Sequence, residues 1–264
     1  MIRNIAAYRF VDIADPDALA ATLRARAEAG GLRGTVLVAP EGLNLFLAGA
    51  PDDVDAFVAA LRDDPRFADI GVKSSDSEAL PFARLKVKVK PEIISFRMPD
   101  SAPREGRAPT VLPQDLARWI VRGRDDAGHR LVLLDTRNRE EVAYGTFLGA
   151  ETLPIDNFTD LPHAVLARRE GWSDATIVSF CTGGIRCEKA ALWMRAQGMD
   201  NVLQLEGGIL GHFEAVGGTG YDGACFVFDE RVALAPSLAP IPAADGAESQ
   251  PQTRARAGGD RNDG

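Results

Sequence analysis

Apolar positions in the first part of the chain switch between the period of strands and the period of helices. An apolar strand ends at Phe10, helical spacing covers residues 17–29 and 52–61, and a strand-turn-strand pattern lies between these two helices. Further strands are predicted near residues 70–73 and 85–94. The resulting β-α-β-β-α-β order predicts a small ferredoxin-like α+β domain over residues 1–96.

The rest of the chain divides by composition into a linker, a second domain and a tail. Proline, glycine and charged residues accumulate over residues 97–113, as in an interdomain linker. Within residues 114–225, the apolar runs 131–134, 176–180 and 202–205 each end in polar or glycine residues, with helical segments between them. This pattern predicts an α/β domain with a parallel sheet and a functional rim at the carboxyl ends of its strands. We predict a C-terminal extension over residues 226–235 and a disordered tail over residues 236–264.

Composition sets limits on the class of protein. A chain of 264 residues with 45% hydrophobic content can build two modest cores. The N-terminal sequence lacks the apolar region of a signal peptide, and no apolar stretch approaches membrane-spanning length, so no membrane partner is expected. Free thiols without an export signal indicate the cytoplasm. The net charge of −8 argues against indiscriminate nucleic-acid binding but allows a local basic patch.

The run from Cys181 to Cys187 is the strongest indication of chemistry. It follows an apolar strand and leads into a helical segment over residues 188–197, and its members are Cys181, Thr182, Gly183, Gly184, Ile185, Arg186 and Cys187. Paired glycines let successive N–H groups point inward, and a following helix adds its positive end, which together make an anion cradle. Because a cysteine opens the cradle, its thiolate or a persulfide is the natural guest, with Arg186 as a counter-charge. The chain is therefore predicted to be an enzyme with Cys181 as its catalytic residue.

The other cysteines and the histidines have ordinary alternatives. Cys187 has the spacing of a buried helix face, and it is equally well placed to be a resolving thiol. Cys225 lies in an apolar run that favours core packing. The three cysteines form neither a zinc motif nor a disulfide framework, and His129, His163 and His212 match no metal-ligand spacing, so no metal and no cofactor is evident.

Two further groups of charged residues are candidates for supporting roles. Asp135 and Arg137 end a strand and either organise the cysteine loop or form a simple ion pair. Period-two alternation places four cations on one strand face, either as a solvated face or as a docking site for tRNA phosphates. These cations are Arg84, Lys86, Lys88 and Lys90.

Several motifs together resemble one family. A cysteine and an arginine separated by four residues, with Asp135-Thr136-Arg137 at an earlier strand end, resemble the rhodanese domain; related phosphatases have a loop one residue longer. The segments 134–138, 145–147, 181–190, 205–210 and 223–232, with 38–44 in the first domain, are similar to the rhodanese-containing tRNA uridine hydroxylases. Many members carry further cysteines after the last of these segments, and here none follows.

The resemblance implies a reaction and its substrates. It implies oxygen-dependent 5-hydroxylation of the wobble uridine of tRNA, with molecular oxygen as co-substrate, tRNA as partner and the family's essential cysteine at Cys181. The electron or sulfur donor is not indicated. A thiosulfate or persulfide sulfurtransferase and a noncatalytic module on a rhodanese scaffold are the alternatives, and the intact cysteine loop argues against the second.

Overall fold

The first domain is a five-stranded mixed sheet covered by two helices on one face. The structure, a computed structural model, describes residues 1–99, 101, 103 and 106–241. The elements of this domain are β1 (Ile2–Phe10), α1 (Pro16–Ala29), β2 (Arg33–Ala39), β3 (Gly42–Gly49), α2 (Pro51–Arg62), a 3-10 turn (Pro65–Phe67), β4 (Val72–Ser77) and β5 (Leu85–Val89). The strand order is β4-β1-β3-β2-β5. The first four strands have the predicted ferredoxin-like arrangement, and β5 is added in parallel beside β2.

Alternation along these strands gives the sheet one buried face and one open face. Odd-numbered residues of β1, such as Ile5 and Ala7, pack with Val36 and Leu45 under α1 and α2 in a single apolar core. The opposite face carries Asn4, Ala6 and Tyr8 and is turned toward the second domain, where it lines a cavity. Helices therefore cover one side of the sheet, and the other side is left for contacts with the second domain.

The second domain is a parallel α/β sheet with helices on both faces. Its elements are β6 (Thr110–Val111), α3 (Pro113–Arg122), β7 (Arg130–Asp135), α4 (Arg139–Val142), β8 (Gly145–Phe147), β9 (Glu151–Thr152), α5 (Leu161–Leu166), β10 (Ala175–Phe180), α6 (Ile185–Ala196), β11 (Val202–Leu205), α7 (Gly208–Val216), β12 (Tyr221–Gly223), β13 (Cys225–Phe226) and β14 (Ala233–Leu234). Parallel pairing gives the order β6-β11-β10-β7-β9. Both faces are apolar, because Val132 and Ile177 face one core while Leu133 and Val178 face the other. The predicted fold class is confirmed.

Two segments differ from their expected roles. Residues 97–113 were expected to be a linker, but β6 lies within them and pairs with β11 at the sheet edge. Phe96, the last residue of the predicted first domain, is fully buried in the core of the second domain, stacked on Phe158. An apolar ring can join whichever core it reaches, and composition alone does not reveal which core that is.

The start of the predicted disordered tail is packed against the second domain. Pro240 bridges to Leu234, the Ile241 N–H donates to the Ala233 carbonyl, and Leu238 packs on a core of the second domain. Residues 242–264 lie outside the described part of the chain. Among the described helices, none has the length and apolar character needed to cross a membrane.

Candidate active site

The cysteine loop lies where β10 ends at the carboxyl edge of the parallel sheet. All six residues of β10 are buried, so the strand fixes Phe180, and the chain then turns over residues 181–184. Helix α6 begins at Ile185, three residues before the predicted start at Glu188, because the loop closes directly into the first helical turn. Gly184 precedes the helix with φ of 100°, a conformation that L side chains rarely adopt. The predicted strand, tight loop and helix are therefore present, with a shorter loop.

The turn before α7 supports this loop from below. The N–H of Ile209 donates to the Cys181 carbonyl at 2.9 Å, and that of Leu210 donates to the Thr182 carbonyl at 3.0 Å. A Cβ on Gly208 would lie 2.4 Å from the Cys181 carbonyl oxygen, closer than real contacts allow. Glycine at this position thus lets the N-terminus of α7 bind the loop carbonyls and fix the backbone of Cys181.

The environment of Cys181 favours its thiolate. Its side chain is fully buried, which by itself disfavours charge. Hydrogen bonds from the Cys187 thiol and from the N–H groups of Arg186 and Gly184, together with the charge of Arg186, outweigh that burial and hold the pKa of Cys181 well below its ordinary value. The Gly184 nitrogen lies 3.2 Å from the Cys181 sulfur. Cys181 is thus the ionised thiol of the site.

Cys187 is the neutral partner of this pair. Burial and the adjacent Cys181 thiolate raise the pKa of Cys187 well above its ordinary value. Its sulfur also lies 3.6 Å from the Thr136 hydroxyl, and its side chain is fully buried on α6. Cys187 therefore donates its thiol proton to the Cys181 sulfur as well as packing on the helix face, an interaction that helical spacing alone did not reveal.

Arg186 is held by a carboxylate from outside the cysteine-loop motif. Its two terminal nitrogens donate to both oxygens of Glu141 at 2.5 and 2.6 Å, and Glu141 is only 1% exposed. Arg186 therefore supplies its charge to Cys181 from a fixed position and is not free to fold over a guest. Glu141 also accepts from the N–H of Asn138, a capping arrangement at α4. That spacing, Asn-x-x-Glu after a strand end, was the available indication in the sequence.

Asp135 and Arg137 form a fully buried ion pair beneath the loop. Arg137 donates to both Asp135 oxygens at 2.9 and 2.7 Å and to the Gly145 carbonyl at 2.6 Å. The Thr146 hydroxyl donates to Asp135 as well, which ties β8 to the end of β7. The structure places this pair beside the loop as a support, without direct contact to the Cys181 sulfur in the described hydrogen bonds.

Cys225 lies closer to the site than its apolar run suggested. It is fully buried beside Arg137 and the Thr182 side chain, and burial raises the pKa of Cys225 to about 12. Core packing was the preferred interpretation, and the burial agrees with it. All three cysteines nevertheless surround the same loop, and only Cys181 is set up to ionise.

The first domain contributes side chains directly to the loop. Tyr8 of β1 donates its hydroxyl to Glu188 of α6 at 3.0 Å, and a Cβ on Gly184 would lie 2.9 Å from that hydroxyl oxygen. Lys189, the next residue of α6, is 1% exposed and pairs with Glu41 and Glu92 at 2.8 and 2.6 Å. These buried polar contacts fix the two domains against each other at the cysteine loop.

A cavity of about 570 Å³ lies between the domains, and Cys181 lines it. One wall is the open face of the first sheet, including Tyr8 and Phe46, and another is the turn that carries Phe228. Pockets for small organic ligands have volumes of about 300–1,000 Å³. The space is therefore large enough for one nucleoside or a molecule of similar size next to the ionised thiol.

The predicted basic stripe is exposed on β5 and its flanks. Lys86 and Lys88 belong to the strand, and Arg84 and Lys90 lie just before and after it; the side chains of all four are exposed. Of the four, only Lys90 lines the cavity with Cys181. The structure therefore brings one end of the stripe to the site and leaves the other three cations outside the cavity.

No group of three or more metal-ligating side chains is present within the described ranges. His212 donates its Nε2 proton to the Thr219 carbonyl at 2.8 Å, and burial lowers its pKa, so it is a neutral packed histidine. The aromatic residues that line the cavity had no motif in the sequence, because they come from separate segments of the chain.

Comparisons with known proteins agree with both domains. A family model described as the UPF0176 acylphosphatase-like domain matches residues 2–93, and the rhodanese-like domain model matches residues 113–214. A tRNA uridine(34) hydroxylase of Xanthomonas euvesicatoria is 65% identical over 93% of this chain and 99% of its own length. One of Xylella fastidiosa is 62% identical over 91% and 94%. Among solved structures, acylphosphatase from Bacillus subtilis covers 33% of this chain and 99% of its own, with a TM-score of 0.28 and 17% identity.

Proposed function

The chain belongs to the family of tRNA uridine(34) hydroxylases, and we propose that it hydroxylates uridine 34 of tRNA with Cys181 as its catalytic residue. The observation that carries the assignment of Cys181 is its ionised thiol in a cavity lined by both domains. A thiolate is the reactive form of cysteine. A tRNA substrate also agrees with a cytoplasmic location, which we propose for this protein.

The reaction replaces the C5–H bond of uracil by C5–OH, which is a two-electron oxidation. We propose molecular oxygen as the co-substrate: one oxygen atom enters the base, and the other leaves as water after taking up two protons and two electrons from a donor. Cys181 and its loop supply a nucleophile and a set of N–H groups that stabilise negative charge beside the base. Glu141 keeps Arg186 in place to maintain that charge balance.

The open face of the first sheet is the proposed docking surface for tRNA. In the strand register, Lys88 of β5 pairs with Leu37, which pairs with Asn44, which pairs with Tyr8, so these side chains share one face. Lys86 occupies the neighbouring row of the same face. None of the described carboxylates forms a salt bridge with the lysines of the stripe, so their charge is available to phosphates. Phosphate contacts along this strand would guide the anticodon loop toward the cavity.

Complementation tests the catalytic assignment. In a strain that lacks the gene, nucleoside mass spectrometry of tRNA should show 5-hydroxyuridine and its derivatives restored by the parent and absent with Cys181→Ser. Serine fits the loop, but its hydroxyl stays protonated near neutral pH. Cys225→Ser is the matched control, because Cys225 is equally buried but not ionised. Restoration by Cys181→Ser at equal protein level would contradict the proposal.

Sulfur transfer is a second candidate, since an ionised cysteine in this loop is also what a persulfide carrier needs. Thiosulfate:cyanide sulfurtransferase activity of the purified protein, lost in Cys181→Ser, would support it. If the activity is present while the deletion strain keeps its 5-hydroxyuridine, sulfur transfer becomes the better assignment.

A further inference from the structure

The turn over residues 227–232 presents an exposed aromatic ring at the cavity. Phe228 lines the cavity and is 62% exposed, which is unusual for a ring beside a site with a fully buried thiol. It meets the ring of Phe226 edge-on at 5.0 Å, so one face of Phe228 is left open. Isolated exposed apolar side chains are common and need no explanation by themselves. The way in which this turn is held gives Phe228 further significance.

Several interactions fix the turn in a strained conformation. The Val227 N–H donates to the Val232 carbonyl at 2.9 Å, and Val232 has φ of 61°, a rare value for a β-branched residue. Arg231 donates to both oxygens of Asp229 at 2.8 and 2.6 Å, and both side chains are largely buried. Strain of this kind persists only where the surroundings over-determine it, and it concentrates at functional sites.

The turn is also tied to the first domain. The third nitrogen of Arg231 donates to the Ser75 hydroxyl of β4 at 2.6 Å, and the Glu230 N–H donates to the Pro81 carbonyl at 3.1 Å. The turn therefore bridges the two domains and closes one side of the cavity. Phe228 is held at a fixed position relative to both Cys181 and the open sheet face.

The rim around this ring fits single-stranded RNA. Lys90 and Arg97 line the same cavity, and Phe46 on β3 adds a second aromatic ring that is 36% exposed. Cations that follow a phosphate backbone, together with aromatic faces for the bases, are the combination that single-stranded nucleic acids use. A base can reach the fully buried Cys181 only after it leaves the stack of its loop. The base next to it is then left without a stacking partner at the mouth of the cavity.

We propose that Phe228 is a binding residue that stacks on the base adjacent to the target uridine, and that the clamped turn over residues 227–232 holds it for this purpose. This inference rests on the proposed function, since it takes a tRNA anticodon loop as the occupant. The target base lies deeper, beside Cys181, and the exposed ring of Phe228 takes the place of the target base in the stack.

The test measures binding of an anticodon stem-loop RNA that carries 2-aminopurine at one of the two positions flanking the target. Stacking quenches this fluorophore, so the parent should quench it at one flanking position. Phe228→Ala should abolish that quenching and weaken binding roughly 5- to 150-fold, the range expected for one base–aromatic stack. Phe228→Tyr should retain both properties, whereas Phe228→Leu, which stays apolar but lacks a π face, should resemble Phe228→Ala. Leu148→Ala is the matched control, because Leu148 is also 62% exposed but does not line the cavity.

Each result bears on a different proposal. Parent-like affinity and quenching in Phe228→Ala, or full recovery in Phe228→Leu, would overturn the stacking role while leaving the proposed function in place. Failure of the parent itself to bind the RNA, together with unchanged 5-hydroxyuridine in the deletion strain, would instead count against the proposed function. Circular dichroism of each variant establishes that the fold is retained.

Discussion

Gly184→Ala tests whether the first domain meets the cysteine loop as described. At φ of 100° an alanine is strained, which costs about 1–3 kcal/mol. Its Cβ would also lie 2.9 Å from the hydroxyl oxygen of Tyr8, and that oxygen is held by its hydrogen bond to Glu188. Overpacking against a fixed group costs about another 1–3 kcal/mol. We therefore expect the free energy of unfolding to fall by about 2–6 kcal/mol.

Removing the obstructing atom should return part of that stability. Tyr8→Phe alone should cost about 1–3 kcal/mol, because buried Glu188 is then without one of its hydrogen bonds. In the double variant the clash is absent, so its destabilisation should fall short of the sum by about 1–3 kcal/mol. Gly183→Ala is the matched control in the same loop: it has ordinary φ and no atom within 4 Å of the added Cβ, so little change is expected.

The assay is a double-mutant cycle measured by urea unfolding, followed both by fluorescence and by circular dichroism so that separate domain transitions are recognised. Contacting residues couple, whereas distant residues add within about 0.5 kcal/mol. Additive effects of Gly184→Ala and Tyr8→Phe would refute the contact between Tyr8 and the loop. The interdomain position of the site would then be refuted with it.

Three further predictions follow from charge and packing. Because the pKa of Cys181 is lowered, its thiolate persists as pH falls below the ordinary thiol value near 8.5 and disappears only at a more acidic pH, so iodoacetamide labelling of Cys181 should stay nearly constant from pH 8 to 7; a tenfold fall per unit would contradict this. Lys86→Glu with Lys88→Glu should weaken tRNA binding and reduce its salt dependence, by about 0.7–0.9 in log–log slope for each phosphate that is no longer neutralised, and an unchanged slope would place docking elsewhere. Truncation after Ile241 should leave the melting temperature unchanged, whereas truncation after Ala235 should lower it because the packed segment that follows is removed; equal melting temperatures would contradict the described packing.

The sequence by itself determined the local architecture and the identity of the reactive residue. Alternation and helical spacing decide which face of each element is apolar, and burial of those faces leaves few ways to layer them. For the same reason the parallel sheet and the position of Cys181 at the end of β10 follow from short stretches of chain. The loop chemistry is equally local, because the glycine, the arginine and the helix start lie within five residues of that cysteine.

Only the tertiary structure decided which distant groups meet at the loop. Glu141 holds Arg186 from 45 residues away, Tyr8 reaches Glu188 across 180 residues, and the Phe228 turn closes the cavity from the far end of the chain. None of these residues differs in local pattern from an ordinary capping, strand or turn residue. Their roles depend on the packing of one domain against the other, and a contact of that kind leaves no periodic trace in the sequence. The physical reason is that spacing along the chain encodes faces, whereas a site between domains is encoded by which faces come together.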